Sequence, residues 1–184
     1  VVSPHDDDFI LGMGLCIAEA LKEGIEVYVV VVSDGRMGYA NPQERAELVF
    51  TRHKELMAAS GELGVQAQRV IELGYPDGSL TQFEGCNDVG DGIAQVLTGV
   101  IRAIKPRVVF APTGSDLHPD HRVVQREVDM ACCWAESKIW LEKGAPHRVE
   151  ARRDYAVYCA FPRLPEVEVR ASQASFEAKM KALK

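Results

Sequence analysis

The sequence has neither a long apolar segment nor a dense run of basic residues. No stretch approaches the ~20 consecutive apolar residues of a membrane-spanning helix, so we expect no membrane span. The net charge is −6, and the nearest approach to a basic run, residues 148–153, is interrupted by Val149, Glu150 and Ala151. A nucleic-acid partner is therefore not expected.

Cysteine is also scarce, and its pattern gives no disulfide framework. The five cysteines are an odd number and form no CxxC pair, which is typical of reduced thiols in a cytoplasmic protein. The chain opens on Val1-Val2-Ser3-Pro4, which we interpret as the end of a strand whose beginning is missing, so an upstream export signal stays open. We expect the C-terminal tail, which ends in an incipient amphipathic helix, to be incomplete as well.

Strand and helix patterns alternate along the chain, with no repeat and no linker. Apolar runs predict strands at residues 27–32, 107–111 and 155–161, with a weaker one at 69–73. Amphipathic spacing predicts helices from Ile10 to Gly24, from Asn41 to Gly61 or Gly64, at residues 93–104, and from Pro119 onwards. We therefore predict a single α/β domain over residues 1–184, a three-layer Rossmann-like fold with a mostly parallel sheet and helices on both faces.

Two clusters of acids and imidazoles follow predicted strands. The first is residues 5–8 (His-Asp-Asp-Asp) and the second is residues 118–121 (His-Pro-Asp-His). Ligands of parallel α/β sheets bind beyond the carboxyl ends of the strands, where both clusters fall. A proline at the first helical position makes His118 the N-cap and puts His121 on the same face of the helix. A His/Asp/His set with an open coordination position is typical of a catalytic metal site, so the sequence favours a metal-assisted hydrolase.

At these motifs the sequence resembles the PIG-L/LmbE-like zinc-dependent N-deacetylases. Their AHPDDE motif corresponds here to Ser3-Pro4-His5-Asp6-Asp7-Asp8-Phe9, with Asp6 in place of the proline and Phe9 in place of the glutamate. Their HxDH motif is intact at residues 118–121. Further matches are Ser33-Asp34-Gly35, Arg52-His53-Lys54-Glu55 with Ala58 and Leu63-Gly64-Val65, and Leu73-Gly74-Tyr75-Pro76-Asp77-Gly78. The resemblance covers about residues 1–125.

The resemblance implies removal of an N-acetyl group from an N-acetylglucosamine-like small molecule, with release of acetate. It implies zinc (Zn²⁺) as the metal, with Fe²⁺, Mn²⁺ or Ni²⁺ as alternatives. The implied metal ligands are His5, Asp8 and His121. The implied catalytic residues are Asp7 as the general base, His118 as the group that stabilises the oxyanion and protonates the amine, and Asp120 as the residue that orients an imidazole. The implied substrate contacts are Arg52, Asp77, Gly35 and Arg36.

Several alternatives stay open at the level of the sequence. A metal phosphoesterase could use a carboxylate-rich site, and a non-catalytic α/β binding module could retain a vestigial metal site. Arg52 and Glu55 could form only an ion pair on a helix surface, and Pro76-Asp77-Gly78 is a turn signature in its own right. Arg36 stands where the family often has a glutamate. The sequence does not specify the oligomeric state, and a homo-oligomer is one option.

Overall fold

A computed structural model of the chain describes residues 1–89, 91–162 and 164–184. The described strands are β1 (Val2–Ser3), β2 (Val29–Ser33), β3 (Val70–Tyr75), β4 (Val108–Pro112) and β5 (Ala151–Tyr155). The described α-helices are α1 (Asp8–Lys22), α2 (Leu48–Leu63), α3 (Ile93–Ile104), α4 (Pro119–Glu136) and α5 (Gln173–Ala182). Short 3₁₀ helices connect several of these elements, among them Pro42–Ala46 before α2.

All strand pairs among the described residues are parallel. β1 pairs with β2, β2 with β3, and β4 with β5, while β1 lies beside β4. The spatial order is therefore β3-β2-β1-β4-β5, so the direction of winding reverses between β1 and β4. This reversal is the switch point at which open α/β sheets bind ligands. The predicted α/β class with a mostly parallel sheet is confirmed.

The central strand β2 shows why there are three layers. Val29 and Val31 pack against α1 and α2 in one core, whereas Val30 and Val32 pack against α3 and α4 in the other. Successive side chains of a strand point to opposite faces, so an unbroken valine run contributes to both cores at once. The helix α5 joins the first core by packing across α1 and α2.

One strand was placed wrongly by its sequence pattern. The apolar run at residues 155–161 predicted a strand, but β5 ends at Tyr155 and the following residues turn across the end of the sheet. Tyr155 is buried, and its hydroxyl donates to the carbonyl oxygen of Val2 at 3.0 Å. The strand itself is the polar segment Ala151–Tyr155, which pairs only with β4 in the described structure. A strand at the edge of a sheet needs no continuous apolar run.

The predicted helix at Asn41 is divided in two. Asn41 and Glu44 form the expected capping box, but the turn that follows is a 3₁₀ helix, and α2 begins only after Glu47. All five cysteines are free thiols, as the odd count suggested. In the part of the chain that the structure describes, no helix combines the length and the apolar character needed to cross a membrane.

Candidate active site

The two clusters meet at the switch point of the sheet. Residues 5–8 link β1 to the start of α1, and residues 116–121 link β4 to the start of α4. The ring centroid of His5 lies 4.7 Å from that of His118 and 5.3 Å from that of His121. The neighbouring carboxyl ends of β1 and β4 thus bring together side chains that are more than a hundred residues apart in sequence.

The three expected metal ligands form a compact triangle. The Nδ1 atom of His5 lies 2.9 Å from Oδ2 of Asp8, and Nε2 of His121 lies 3.0 Å from the same oxygen. The two nitrogens are 3.3 Å apart. Ligand atoms at 2.0–2.1 Å around a tetrahedral zinc ion are separated by about 3.3 Å, so these three atoms resemble one face of such a site. The other oxygen of Asp8, Oδ1, is buried and has no hydrogen-bond partner among the described residues, so part of this carboxylate's charge is not paired within the protein.

Each imidazole of the triangle presents its other nitrogen to a carboxylate. The Nε2 atom of His5 lies 3.1 Å from Oδ1 of Asp77, and Nδ1 of His121 lies 3.2 Å from Oδ2 of Asp116, a charge contact whose alignment falls short of a hydrogen bond. Metal-ligating histidines almost always have such a partner, because it fixes the tautomer and makes the metal-facing nitrogen more basic. The residues present therefore fit a bound metal ion: each ring directs one nitrogen to the metal position and the other nitrogen to a carboxylate.

Two other sets of atoms converge within 4.8 Å, one from His5, His118 and His121, the other from His5, Asp77 and Asp120. The second set uses Nε2 of His5, the nitrogen that faces away from Asp8. Burial alone would lower the pKa of His5, but contacts of its ring N–H groups with the carboxylates of Asp120, Asp77 and Asp8 raise it to about 12. Carboxylates that crowd Nε2 in this way favour a proton on that nitrogen and leave Nδ1 for the metal.

Asp116 was missed at the level of the sequence. It is 1% exposed, and its Oδ1 accepts the backbone N–H of His118 at 3.0 Å. Its Oδ2 accepts the backbone N–H of Tyr158 at 3.2 Å, besides its contact with His121. The available signal was an acidic residue in the short turn between β4 and His118, a turn that the motif-based interpretation treated as a plain connection.

His118 caps the N-terminus of α4, as predicted from the following proline. Its Nδ1 accepts the backbone N–H of Asp120 at 3.3 Å, so the neutral ring carries its hydrogen on Nε2. Burial lowers the pKa of His118, and the nearby His5 and His121 lower it further. His118 is thus a neutral donor at the edge of the triangle.

The carboxylate of Asp120 faces His5 rather than His118. Its Oδ2 accepts the backbone N–H of Gly78 at 2.8 Å and lies 3.6 Å from Nε2 of His5. Burial would raise the pKa of Asp120, but contacts with His5 and Gly78 hold it below its usual value. Asp120 therefore contacts two imidazoles, one through its carboxylate and one through its backbone.

Asp7 is the exposed carboxylate of the first cluster. It occupies the N-cap position of α1 without a side-chain capping hydrogen bond. Partial loss of water around Asp7 and the neighbouring charge of Asp8 raise its pKa. Asp6 and Asp7 line a cavity of about 570 Å³ that extends along α1 and α2 to the end of α5, and its lining does not include His5, Asp8, His118 or His121. A second cavity, of about 660 Å³, lies between α1, β4 and β5 and includes no residue of either cluster.

Arg52 lies at the mouth of the cavity beside Asp6 and Asp7. Its guanidinium donates to Glu55 at 3.1 Å and to the carbonyl oxygen of Gly38 at 3.1 Å, and it lies 3.9 Å from Asp6. Gly35 has φ +68° and packs against the Arg52 stem. Arg52 thus forms the expected ion pair on the helix and also supports the loop that follows β2.

The other two expected substrate contacts have protein partners of their own. Asp77 contacts His5 through one oxygen and accepts the backbone N–H of Met37 at 3.2 Å through the other. The guanidinium of Arg36 pairs with Asp34, with an Nε–Oδ2 distance of 2.7 Å. A substrate that uses Arg36 or Asp77 would have to share these groups with the protein.

Comparison with known proteins places this geometry in a family. The family model "PIG-L: GlcNAc-PI de-N-acetylase" matches residues 1–132. The chain belongs to the PIG-L family. This family domain contains all ten residues that the sequence motifs singled out.

Three relatives illustrate the similarity. A 1D-myo-inositol 2-acetamido-2-deoxy-α-D-glucopyranoside deacetylase of Thermobifida fusca is 30% identical, over 95% of this chain and 66% of its own length. The structure of a conserved protein from Thermus thermophilus matches with a TM-score of 0.79 and 33% identity, over 99% of this chain and 74% of that one. The structure of N,N′-diacetylchitobiose deacetylase from Pyrococcus horikoshii, in complex with an inhibitor, has a TM-score of 0.81 and 27% identity, over 99% and 66%.

The matches cover a larger share of this chain than of its relatives. The chain spans only 40% to 58% of the length of three other curated deacetylases that it matches. The shared part is the domain that carries the histidine and aspartate clusters.

Proposed function

We propose that this PIG-L family chain is a metal-dependent amide hydrolase that removes an N-acetyl group from an N-acetylglucosamine-like substrate and releases acetate. The proposal depends on one observation above all, the triangle of His5, Asp8 and His121. In this triangle the imidazole nitrogens that face away from Asp8, Nε2 of His5 and Nδ1 of His121, both contact carboxylates. The substrate class is supported by the matched family and by relatives that are named as deacetylases of N-acetylated sugars.

Zinc is the metal that this donor set favours. Two imidazole nitrogens and one carboxylate oxygen from the protein are typical of the ligand sets of catalytic zinc. When bound, the metal would lower the pKa of a water ligand from 15.7 to roughly 7 and polarise the amide carbonyl. Iron, manganese and nickel bind the same ligand types and are the alternatives.

The residues around the triangle supply the proton transfers. Asp7 lies next to ligand Asp8 in sequence and keeps an exposed carboxylate, so we assign it the role of accepting a proton from the attacking water. Such a base typically contributes ~10²–10⁴-fold to the rate. The raised pKa of Asp7 makes it a better proton acceptor than an ordinary surface aspartate.

His118 would act on the oxyanion and on the departing amine. Its Nε2–H is free of the capping contact and can donate to the oxygen that becomes negative in the tetrahedral intermediate. Delivery of a proton to the departing amine would need a second proton on Nδ1, which would displace the backbone N–H of Asp120. The resting geometry thus supports oxyanion stabilisation directly, and the second role requires that contact to break.

The two other readings of the sequence receive less support. A phosphoesterase that uses Mg²⁺ or Mn²⁺ would favour oxygen ligands, whereas two of the three triangle atoms are imidazole nitrogens. A binding module with a vestigial site leaves the metal triangle and its two carboxylate partners without a role. The comparisons with known proteins add no support to either reading.

Metal content and acetate release, measured on the parent protein and two variants, test the proposal. The substrates are N,N′-diacetylchitobiose and other N-acetylglucosaminyl compounds, with a generic phosphate ester as the test of a phosphoesterase. We expect Asp7→Asn to keep its metal and to lose acetate release by ~10²-fold or more. We expect His121→Ala to lose the metal, because it removes one corner of the triangle.

Matched controls are available at the surface. His53 pairs with Glu72 and is 49% exposed at its side chain, so His53→Ala should keep both metal and activity. Full activity in Asp7→Asn would remove the assignment of the base. An unchanged metal content in His121→Ala would remove the assignment of the ligands.

A further inference from the structure

One aromatic residue outside the matched family segment lies against the candidate metal centre. After β5 ends at Tyr155, the chain turns across the carboxyl end of the sheet and brings Tyr158 over His121. The two rings are stacked, with centroids 5.3 Å apart and an angle of 29° between their planes. The Tyr158 ring is also 6.4 Å from that of His118, and the residue is 48% exposed, so part of the side chain is open to solvent.

The backbone of the same residue acts on His121 by a second route. The N–H of Tyr158 donates to Oδ2 of Asp116 at 3.2 Å. That oxygen is also the one that lies 3.2 Å from Nδ1 of His121. Tyr158 therefore contacts the imidazole directly through its ring and indirectly through the carboxylate that holds the remote nitrogen.

These contacts restrict the one torsion that the imidazole needs to keep. The torsion about the Cβ–Cγ bond of histidine has a broad energy well, so packing must set the plane of the ring. In His121 that plane directs Nε2 toward Asp8 and His5 at 3.0 and 3.3 Å. Rotation of the ring would move Nε2 out of the triangle and Nδ1 away from Asp116, and the stacked Tyr158 ring opposes it.

We propose that Tyr158 is a positioning residue for the metal centre, which holds the imidazole of His121 in its metal-binding orientation by stacking. The inference rests on the proposed metal-dependent function. It assigns a role to the segment after β5, which the matched family region of residues 1–132 does not include.

Substitutions that separate the ring from the hydroxyl and from the backbone test this role. Tyr158→Phe keeps the stacked ring, whereas Tyr158→Leu keeps an apolar side chain and removes the flat surface. Both keep the backbone N–H that contacts Asp116. The matched control is Phe161→Leu, the same kind of change three residues later, where the side chain lines the other cavity.

The primary measurement is zinc affinity of the purified full chain, by competition with a chromophoric chelator, so that it does not depend on turnover. Loss of a residue that orients a metal ligand typically weakens metal binding 10–100-fold. We expect a loss of ~10-fold or more in Tyr158→Leu, and an affinity within ~2-fold of the parent in Tyr158→Phe and Phe161→Leu. Urea unfolding of the metal-free proteins checks that Tyr158→Leu is folded.

Two results would overturn the proposal. One is a folded Tyr158→Leu protein with the zinc affinity of the parent. The other is an equal loss in Phe161→Leu, which would indicate a general weakening of the segment. Failure of the proposed function would look different. A parent protein that binds zinc but releases no acetate contradicts the deacetylase assignment. The zinc affinities of the parent and the variants would still decide the role of Tyr158.

Discussion

Replacement of Asp116 by asparagine tests the metal centre through the nitrogen of His121 that does not face the metal position. The carboxylate of Asp116 contacts four groups, the backbone N–H of His118, the backbone N–H of Tyr158, the Nδ1 atom of His121 and, at 3.9 Å, the thiol of Cys159. Burial would raise the pKa of Asp116, but the two N–H donors and His121 hold it below its usual value, so it is a carboxylate at neutral pH. Asp116→Asn keeps the size of the side chain, removes the charge, and turns one acceptor oxygen into a donor.

The expected cost has two parts that can be measured separately. Loss of a carboxylate partner from a metal-ligating histidine typically reduces metal affinity 10–100-fold, which is about 1.4 to 2.8 kcal/mol. Whichever way the amide is oriented, one of the two backbone N–H groups loses its acceptor. A buried donor without a partner costs about 1–3 kcal/mol in the free energy of unfolding. The variant should therefore be weaker in zinc binding and less stable even without metal.

Chelator competition gives the zinc affinity, and urea unfolding of the metal-free protein gives the stability. The control is Glu150→Gln, where the carboxylate pairs with the exposed Arg107 at 2.9 Å and is itself 58% exposed. Surface pairs contribute about 0–1 kcal/mol, so both quantities should stay close to those of the parent. Parental zinc affinity in Asp116→Asn would refute the reasoning, since it would mean that Asp116 does not hold His121.

Two further predictions concern buried charges away from the site. Glu127 accepts the backbone N–H groups of Gly85 and Ala94, and burial raises its pKa above 4.5. The folded state therefore binds the proton more tightly, and this group's contribution to stability falls as pH rises through the raised pKa. Glu127→Gln should remove that part of the slope in urea unfolding measured across this range. Arg102, 1% exposed, donates to four carbonyl oxygens at and beyond the end of α4. Arg102→Met should lower the free energy of unfolding by at least about 3 kcal/mol, whereas an effect no larger than that of the exposed Arg126→Met would contradict this role.

The features that the sequence predicted correctly are those set by local physics. The valine run of β2 is buried on both faces, so its pattern alone marks a central parallel strand. Pro119 can occupy only the first turn of a helix, which fixes His118 as the N-cap and the direction of His121. The meeting of the two clusters followed from the rule that parallel strands gather their carboxyl ends at one edge.

The misplaced strand shows where local patterns stop being informative. β5 is the polar segment Ala151–Tyr155, and its pairing with β4 is a tertiary fact that no periodicity encodes. The more apolar residues 156–161 instead follow the strand across the end of the sheet, where Tyr158 meets His121 and Asp116. Tyr158 could not be linked to the site while it was assigned to the interior of a strand.

Asp77 illustrates the same limit within a recognised motif. The motif indicated a substrate contact, while the structure places one oxygen of Asp77 3.1 Å from Nε2 of His5. Asp116 makes the equivalent contact with His121 without any motif of its own. A carboxylate in these loops can face either a substrate or the remote nitrogen of a metal-binding histidine. Which of the two it faces is decided by the relative positions of the loops after β1, β3, β4 and β5. A centre of this kind is therefore sensitive to changes in the loop after β5, even though all its expected ligands lie in the first 121 residues.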